Sequence, residues 1–110
     1  MPQDTLVVLV TTPSVEEGQK VARAVVAEHL AACVNVVPRV QSVFFWEGQV
    51  QEEAETLLVI KTNCQRYEAL ERRILDLHGY SVPEVLAVRV DRGSPAYLAW
   101  IDETVRTEGG

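Results

Sequence analysis

Hydrophobic patterning divides the chain into alternating blocks of strand and helix character. Thr5 to Thr11 is mostly aliphatic and β-branched, the composition of a short strand buried on both faces. Pro13 stops it. Ser14 reads as a helix N-cap with Glu17 three residues on, a capping box that satisfies free backbone N–H groups. Ala22, Val25, Val26 and Leu30 follow at helical spacing, so the pattern predicts a helix over 14–31, which Gly18 weakens slightly. Cys33 to Trp46 is rich in Val and Phe and reads as a strand. Pro38 cannot donate to a ladder, so it marks an edge, a bulge or a break. Glu47-Gly48-Gln49 supplies turn chemistry, and Val50 to Thr62 returns as a second strand that begins acidic and ends aliphatic. These two blocks predict one long hairpin whose polar tip projects beyond the sheet.

Asn63 can cap a second helix, and Tyr67, Leu70, Ile74 and Leu77 form one apolar stripe along it. Gly79 stands where a left-handed C′ residue would end that helix. Val82-Pro83 forces extension before a strand over Val85 to Val90. Ser94-Pro95 then opens a short last helix carrying Leu98, Ile101 and Val105.

The order β-α-β-β-α-β-α predicts a single α+β domain over 1–110, the ferredoxin-like split βαβ pattern with an added C-terminal helix. Right-handed crossovers place both main helices on one face of a four-stranded antiparallel sheet. The strands nevertheless carry apolar residues at both parities: Val7 and Leu9 with Leu58 and Ile60, and Leu6 and Val8 with Leu57 and Val59. A monomer would expose the second face as a large apolar patch. The expected solution is a partner subunit. The alternative is that the last helix folds back over the face.

Composition narrows the function classes. Ten Lys and Arg against sixteen Asp and Glu give a net charge of −6. Binding to nucleic acid or to anionic membranes needs clustered cations, so neither is expected. No apolar run approaches the roughly 20 residues that span a bilayer. The start, Met1-Pro2-Gln3-Asp4, lacks a basic region followed by an apolar core, so no secretory leader is expected. The two cysteines, Cys33 and Cys64, form no CxxC pair, and reduced thiols in a cytoplasmic protein are the simplest reading. The end, 107–110, reads as frayed.

Candidate chemistry is sparse. No phosphate-binding glycine loop, nucleophile elbow or Ser/His/Asp arrangement occurs, so no enzyme activity is expected. His78, Tyr80, Pro83 and Glu84 share a short loop where an imidazole, a phenol and a carboxylate can converge on a ligand or metal. No HxxxH or Cys/His pair at ligand spacing supports a closed metal site. Cys33 follows a helix C-terminus, which disfavours a thiolate, and reads as a small core residue. Lys61 ends an apolar strand, free to pair with Glu84 or to emerge into water. Phe44, Phe45 and Trp46 concentrate aromatic mass on the hairpin, where an interface core would use it. Glu47, Glu52, Glu53 and Glu55 form an acidic patch nearby, which reads as a solvated face or a hard-cation surface.

Five segments in order carry a resemblance: Leu30-Ala31-Ala32-Cys33-Val34-Asn35, Ser42-Val43-Phe44-Phe45-Trp46-Glu47-Gly48, Leu58-Val59-Ile60-Lys61-Thr62, His78-Gly79-Tyr80-Ser81-Val82-Pro83-Glu84 and Tyr97-Leu98-Ala99-Trp100. The chain resembles the CutA family of divalent-cation tolerance proteins over nearly its whole length. The resemblance implies a homotrimer, architecturally similar to the PII signalling proteins, whose long hairpins pair sheet edges between subunits. It implies binding of Cu²⁺ or another divalent cation without an organic cofactor, and a non-enzymatic part in metal tolerance. Among the family's metal ligands His78 is matched, and Cys33 matches its Ala-Cys segment. Val10 and Leu77 stand where some members carry a cysteine and a second histidine. A PII-like alternative is a regulator that takes a small anion or metabolite in inter-subunit clefts, with Lys61, Tyr80 and Glu84 as contacts. Phe44 and Trp46 are the expected interface aromatics of the trimer.

Overall fold

A computed structural model describes residues 4–106 of the chain; the Met1-Pro2-Gln3 start and the 107–110 end read above lie outside the described residues. The elements run β1 (Thr5–Thr12), α1 (Val15–Ala27), β2 (Cys33–Trp46), β3 (Gln49–Asn63), α2 (Tyr67–Leu77), β4 (Val85–Arg89) and α3 (Pro95–Val105). The sheet order is β2-β3-β1-β4, antiparallel throughout, as the split βαβ pattern requires.

The register assigns the faces. Val8 pairs with Ile60 and Val10 with Leu58, so these residues share one face, against the grouping read from parity alone. Strand parity counts positions along one chain, but an antiparallel partner counts backwards from an offset that only the pairing fixes. Leu6, Val8, Val10, Leu58 and Ile60 pack with Val21 and Val25 of α1 and Leu70 and Ile74 of α2 in the main core. Gly18 lets α1 approach closely: a Cβ there would meet Thr12 Oγ1 at 3.0 Å and Thr56 Cγ2 at 3.1 Å.

Helix ends depart from the sequence reading in three places, one being the start of α2, whose N-cap is Arg66 while Asn63 ends β3 and accepts from the Arg66 N–H. α1 stops at Ala27 rather than continuing to 31. His29 adopts φ 59°, its N–H bonds to the Val26 carbonyl, and the Leu30 N–H reaches the Val25 carbonyl at 2.9 Å. That is a Schellman motif, with Leu30 buried as its hydrophobic partner. Histidine tolerates the left-handed region better than bulky residues, but it advertises the cap less clearly than glycine. Gly79, by contrast, is not left-handed. α2 ends because His78 turns extended, at φ −83° and ψ 143°.

Pro38 resolves to a bulge. The β2–β3 register shifts between Val37 and Val40, and Arg39 takes φ 61°. Beyond that bulge β2 and β3 continue alone as a two-stranded arm, which gives the molecule its 47 Å long axis. Its tip is a two-residue turn, Glu47-Gly48, closed by the pair Trp46 and Gln49. Both turn residues have positive φ, the signature of the type I′ hairpin that matches strand twist.

α3 settles part of the question about the second sheet face. Ile101 and Val105 are buried with Ala32 in a small separate cluster, and Asn63 Nδ2 donates to Asp102 Oδ1 at 3.0 Å. The helix therefore covers one end only. Leu86 and Val88, cross-strand partners of Leu9 and Val7 on that face, remain 58% and 54% exposed.

Candidate functional site

The hairpin arm has two chemically different faces. Alternation from the Trp46–Gln49 turn puts Ser42, Phe44, Trp46, Gln51 and Glu53 on one side, and Val43, Phe45, Val50 and Glu52 on the other. The first set, with Thr11, Glu55 and, from the adjoining backbone position, Val43, forms one wall of a cleft. Tyr80, Ser81, Val82 and Glu84 of the loop before β4 form the other. The cleft encloses about 620 Å³.

The loop is fixed by His78. Its Nε2 bonds to the Thr11 carbonyl at 2.6 Å, and its Nδ1 lies 3.0 Å from the Tyr80 backbone N–H. These contacts define one tautomer: Nε2 carries the proton and donates it, and Nδ1 accepts. Both nitrogens are therefore engaged within the protomer. The imidazole also packs against the Tyr80 ring, with centroids 4.8 Å apart.

Tyr80 is held in turn by Glu55. Its hydroxyl donates to Glu55 Oε2 at 2.7 Å. Burial pushes the phenol well above the ordinary tyrosine range, helped by that hydrogen bond and by the charges of Glu55, Glu53 and Glu17. Burial, and then the Glu55 carboxylate, also push Glu84 upward. Glu55 itself is only 8% exposed, and no Lys, Arg or His is an ion-pair partner to it among the described residues.

The sequence candidates thus separate. His78, Tyr80 and Glu84 come together, with Phe44 and Trp46 on the facing wall. Lys61 does not join them. It shares a strand face with Glu55 but lies six residues further along β3, roughly 20 Å at strand rise, and donates to Asn35 Oδ1 instead. Cys33 sits beside Lys61 in the register and close to Tyr97, whose phenol it helps to push upward after burial. His78 contacts Thr11, four residues from Val7 in the Cys33–Lys61–Val7 row, so Cys33 and His78 are separated by about 14 Å of strand. They cannot bind one ion within a single protomer. No cluster of three metal-donor side chains occurs among the described residues.

Glu55 is the site residue that the sequence reading passed over, grouped as it was in a solvated acidic patch. The usable signal was parity: Glu53 and Glu55 continue the alternation of Leu57 and Val59 along one strand face, whereas Glu52 points to the opposite side.

The model of one family, described as the CutA1 divalent ion tolerance protein, matches residues 6–104. The chain belongs to that family. The divalent-cation tolerance protein CutA of Thermus thermophilus is 44% identical over 97 residues, covering 88% of this chain and 94% of the relative. Its solved structure superposes with a TM-score of 0.89 at 43% identity, over 91% of this chain and 97% of that one. The chloroplastic CutA 1 of rice is 44% identical over 102 residues, 93% of this chain; the chain spans only 58% of that relative. A structure described as the PII-like protein CutA from Nostoc superposes with a TM-score of 0.86 at 36% identity, covering 92% of this chain and 97% of that one. The ferredoxin-like fold with its extra helix is therefore that of the family, and the likeness extends to a PII-like member.

Proposed function

We propose that the chain acts as a non-enzymatic, cytoplasmic homotrimer that binds divalent metal, Cu²⁺ first, and contributes to metal tolerance. The observation that carries the assembly is the back of the arm, where Val43, Phe45 and Val50 are 61%, 71% and 69% exposed. Three large apolar residues on one side of an isolated hairpin form the kind of patch that marks an interface, and Leu86 and Val88 expose a second apolar patch on the other face of the sheet. Trp46 at the arm tip adds aromatic mass to its rim. Copies of the chain are the natural cover, because the free edges of β2 and β4 offer unpaired backbone groups at the same time.

The metal reading depends on the assembly. Cys33 and His78 are too far apart in one protomer to share an ion, so a site using either residue draws its remaining ligands from another copy. Copper stands highest among first-row divalent ions for imidazole and thiolate donors. His78 can coordinate only by giving up its bond to Thr11 or to Tyr80. Titrating copper into the assembled protein and into His78→Ala tests the assignment. A lost or weakened copper affinity in the variant supports it, and an unchanged affinity removes His78 as a ligand.

A further inference from the structure

We propose that the cleft between the hairpin arm and the 80–84 loop binds a small organic cation, a ligand bearing an ammonium or guanidinium group, whose charge Glu55 and Glu84 take while Trp46 and Phe44 flank its carbon skeleton. The proposal is independent of the copper reading and rests on three properties of the cleft.

Its charge has one sign. Glu53, Glu55 and Glu84 line it, and no lysine, arginine or histidine among the described residues does. A small anion would meet repulsion there. Second, Glu55 is nine-tenths buried with only one of its oxygens occupied: Oε2 accepts from Tyr80, and Oε1 has no hydrogen-bond partner among the described residues. That oxygen is reachable by solvent, since no buried side-chain oxygen or nitrogen among the described residues lacks a partner. It belongs to a side chain that lines the cleft, so a cationic donor entering from there takes the place of water on it. Third, the size and walls fit a molecule and not a bare ion. A volume of about 620 Å³ lies inside the span of small-molecule pockets, roughly 300–1,000 Å³. The carboxylates do not converge as a set of metal donors. The aromatic residues Phe44, Trp46 and Tyr80 line it, and aromatic rings attract ammonium and guanidinium groups but offer nothing to a hard metal.

The hydrogen-bond chain from Thr11 through His78 to the Tyr80 backbone, and from the Tyr80 hydroxyl to Glu55, holds both walls before any ligand arrives. Such pre-organisation lowers the ordering cost of binding.

The test is calorimetric titration of the assembled protein with agmatine, which carries an ammonium and a guanidinium on one short chain. Glutarate serves as an anion of similar length, and magnesium as a metal competitor. The expected result is saturable agmatine binding at one per chain, no glutarate binding, and no displacement by magnesium. Glu84→Gln removes one charge-assisted hydrogen bond at the accessible rim and weakens agmatine about tenfold. Trp46→Leu weakens it by a smaller factor while the circular dichroism stays that of the parent. Absence of saturable agmatine binding, equal affinity in Glu84→Gln, or magnesium saturating the cleft and excluding agmatine each overturns the proposal. None of these results touches the copper assignment, which the His78→Ala titration reads separately.

Discussion

The Tyr80 hydroxyl donates to the carboxylate of Glu55 at 2.7 Å, tying the loop before β4 to the root of the hairpin arm. The bond joins residues 25 positions apart and closes one end of the cleft. Because Glu55 is buried and its other oxygen has no partner, the phenol is its only hydrogen-bond donor among the described residues. Tyr80→Phe therefore leaves Glu55 Oε2 without its protein donor and destabilises the fold by about 1–3 kcal/mol. Chemical denaturation of the two proteins measures the difference. A variant as stable as the parent would show that water replaces the phenol without loss.

The same bond has a pH signature. The Tyr80 phenol titrates above its ordinary value in the folded chain. A raised pKa means that the folded state holds the proton more tightly. The stability it contributes is fully present below the ordinary tyrosine pKa, about 10, and is lost as the pH rises beyond it. Burial raises Tyr67 and Tyr97 as well, so an ultraviolet titration of the native chain should place phenolate formation above the ordinary tyrosine value. A tyrosine that ionises reversibly at its ordinary pKa in the native protein would contradict this.

Gly18→Ala separates helix propensity from packing. In a solvated helix the change would stabilise by up to about 1 kcal/mol. Here the new methyl meets Thr12 Oγ1, Thr56 Cγ2 and Leu58 Cδ2 within 3.3 Å. Overpacking of this kind costs about 1–3 kcal/mol, so the net effect is a lower denaturation midpoint. A raised midpoint would mean that α1 shifts outward at little cost.

His78→Phe keeps an aromatic ring against Tyr80 but removes the acceptor at Nδ1 and the donor at Nε2. The Tyr80 amide then loses its partner, and the loop over residues 78–84 loosens. Native-state hydrogen exchange should show faster exchange at Tyr80 with little change at Ile60 in the core. Unchanged protection at Tyr80 would mean that the imidazole bonds do not hold the loop.

Much of the fold was legible because its signals are local. Pro13 and Ser14 open α1, Glu47-Gly48 turns the hairpin, and Ser94-Pro95 starts α3, each through chemistry confined to a few residues. What the sequence concealed depends on pairing across space. Val8 faces Ile60 and not Val59 because of strand register, a quantity written in neither strand alone. Glu55 looked like one of several solvated carboxylates until the loop with Tyr80 folded over it. The pleat is likewise spatial: it sets Phe44 and Trp46, the expected interface aromatics, on the cleft wall and Phe45 and Val50 on the outer side. Recognition of the family was secure because its five segments are spread along the whole chain, whereas a ligand set depends on which distant side chains meet.

The arm makes the assembly testable without harming the protomer. Phe45 and Val50 oppose each other across the hairpin and touch little else, so replacing Phe45 by Ser leaves the core intact. An aromatic anchor at an interface commonly contributes about 2 kcal/mol or more, roughly thirtyfold in the association constant. Dilution series by sedimentation should place the Phe45→Ser dissociation midpoint at higher concentration than the parent's, with an unaltered circular dichroism spectrum. Equal midpoints would move the interface off this side of the arm.

The measurement that bears most directly on the account is native mass spectrometry of the unmodified chain at low micromolar concentration. A population dominated by three chains is the predicted result. A stable, compact single chain, with Val43, Phe45 and Val50 left in water, would contradict it.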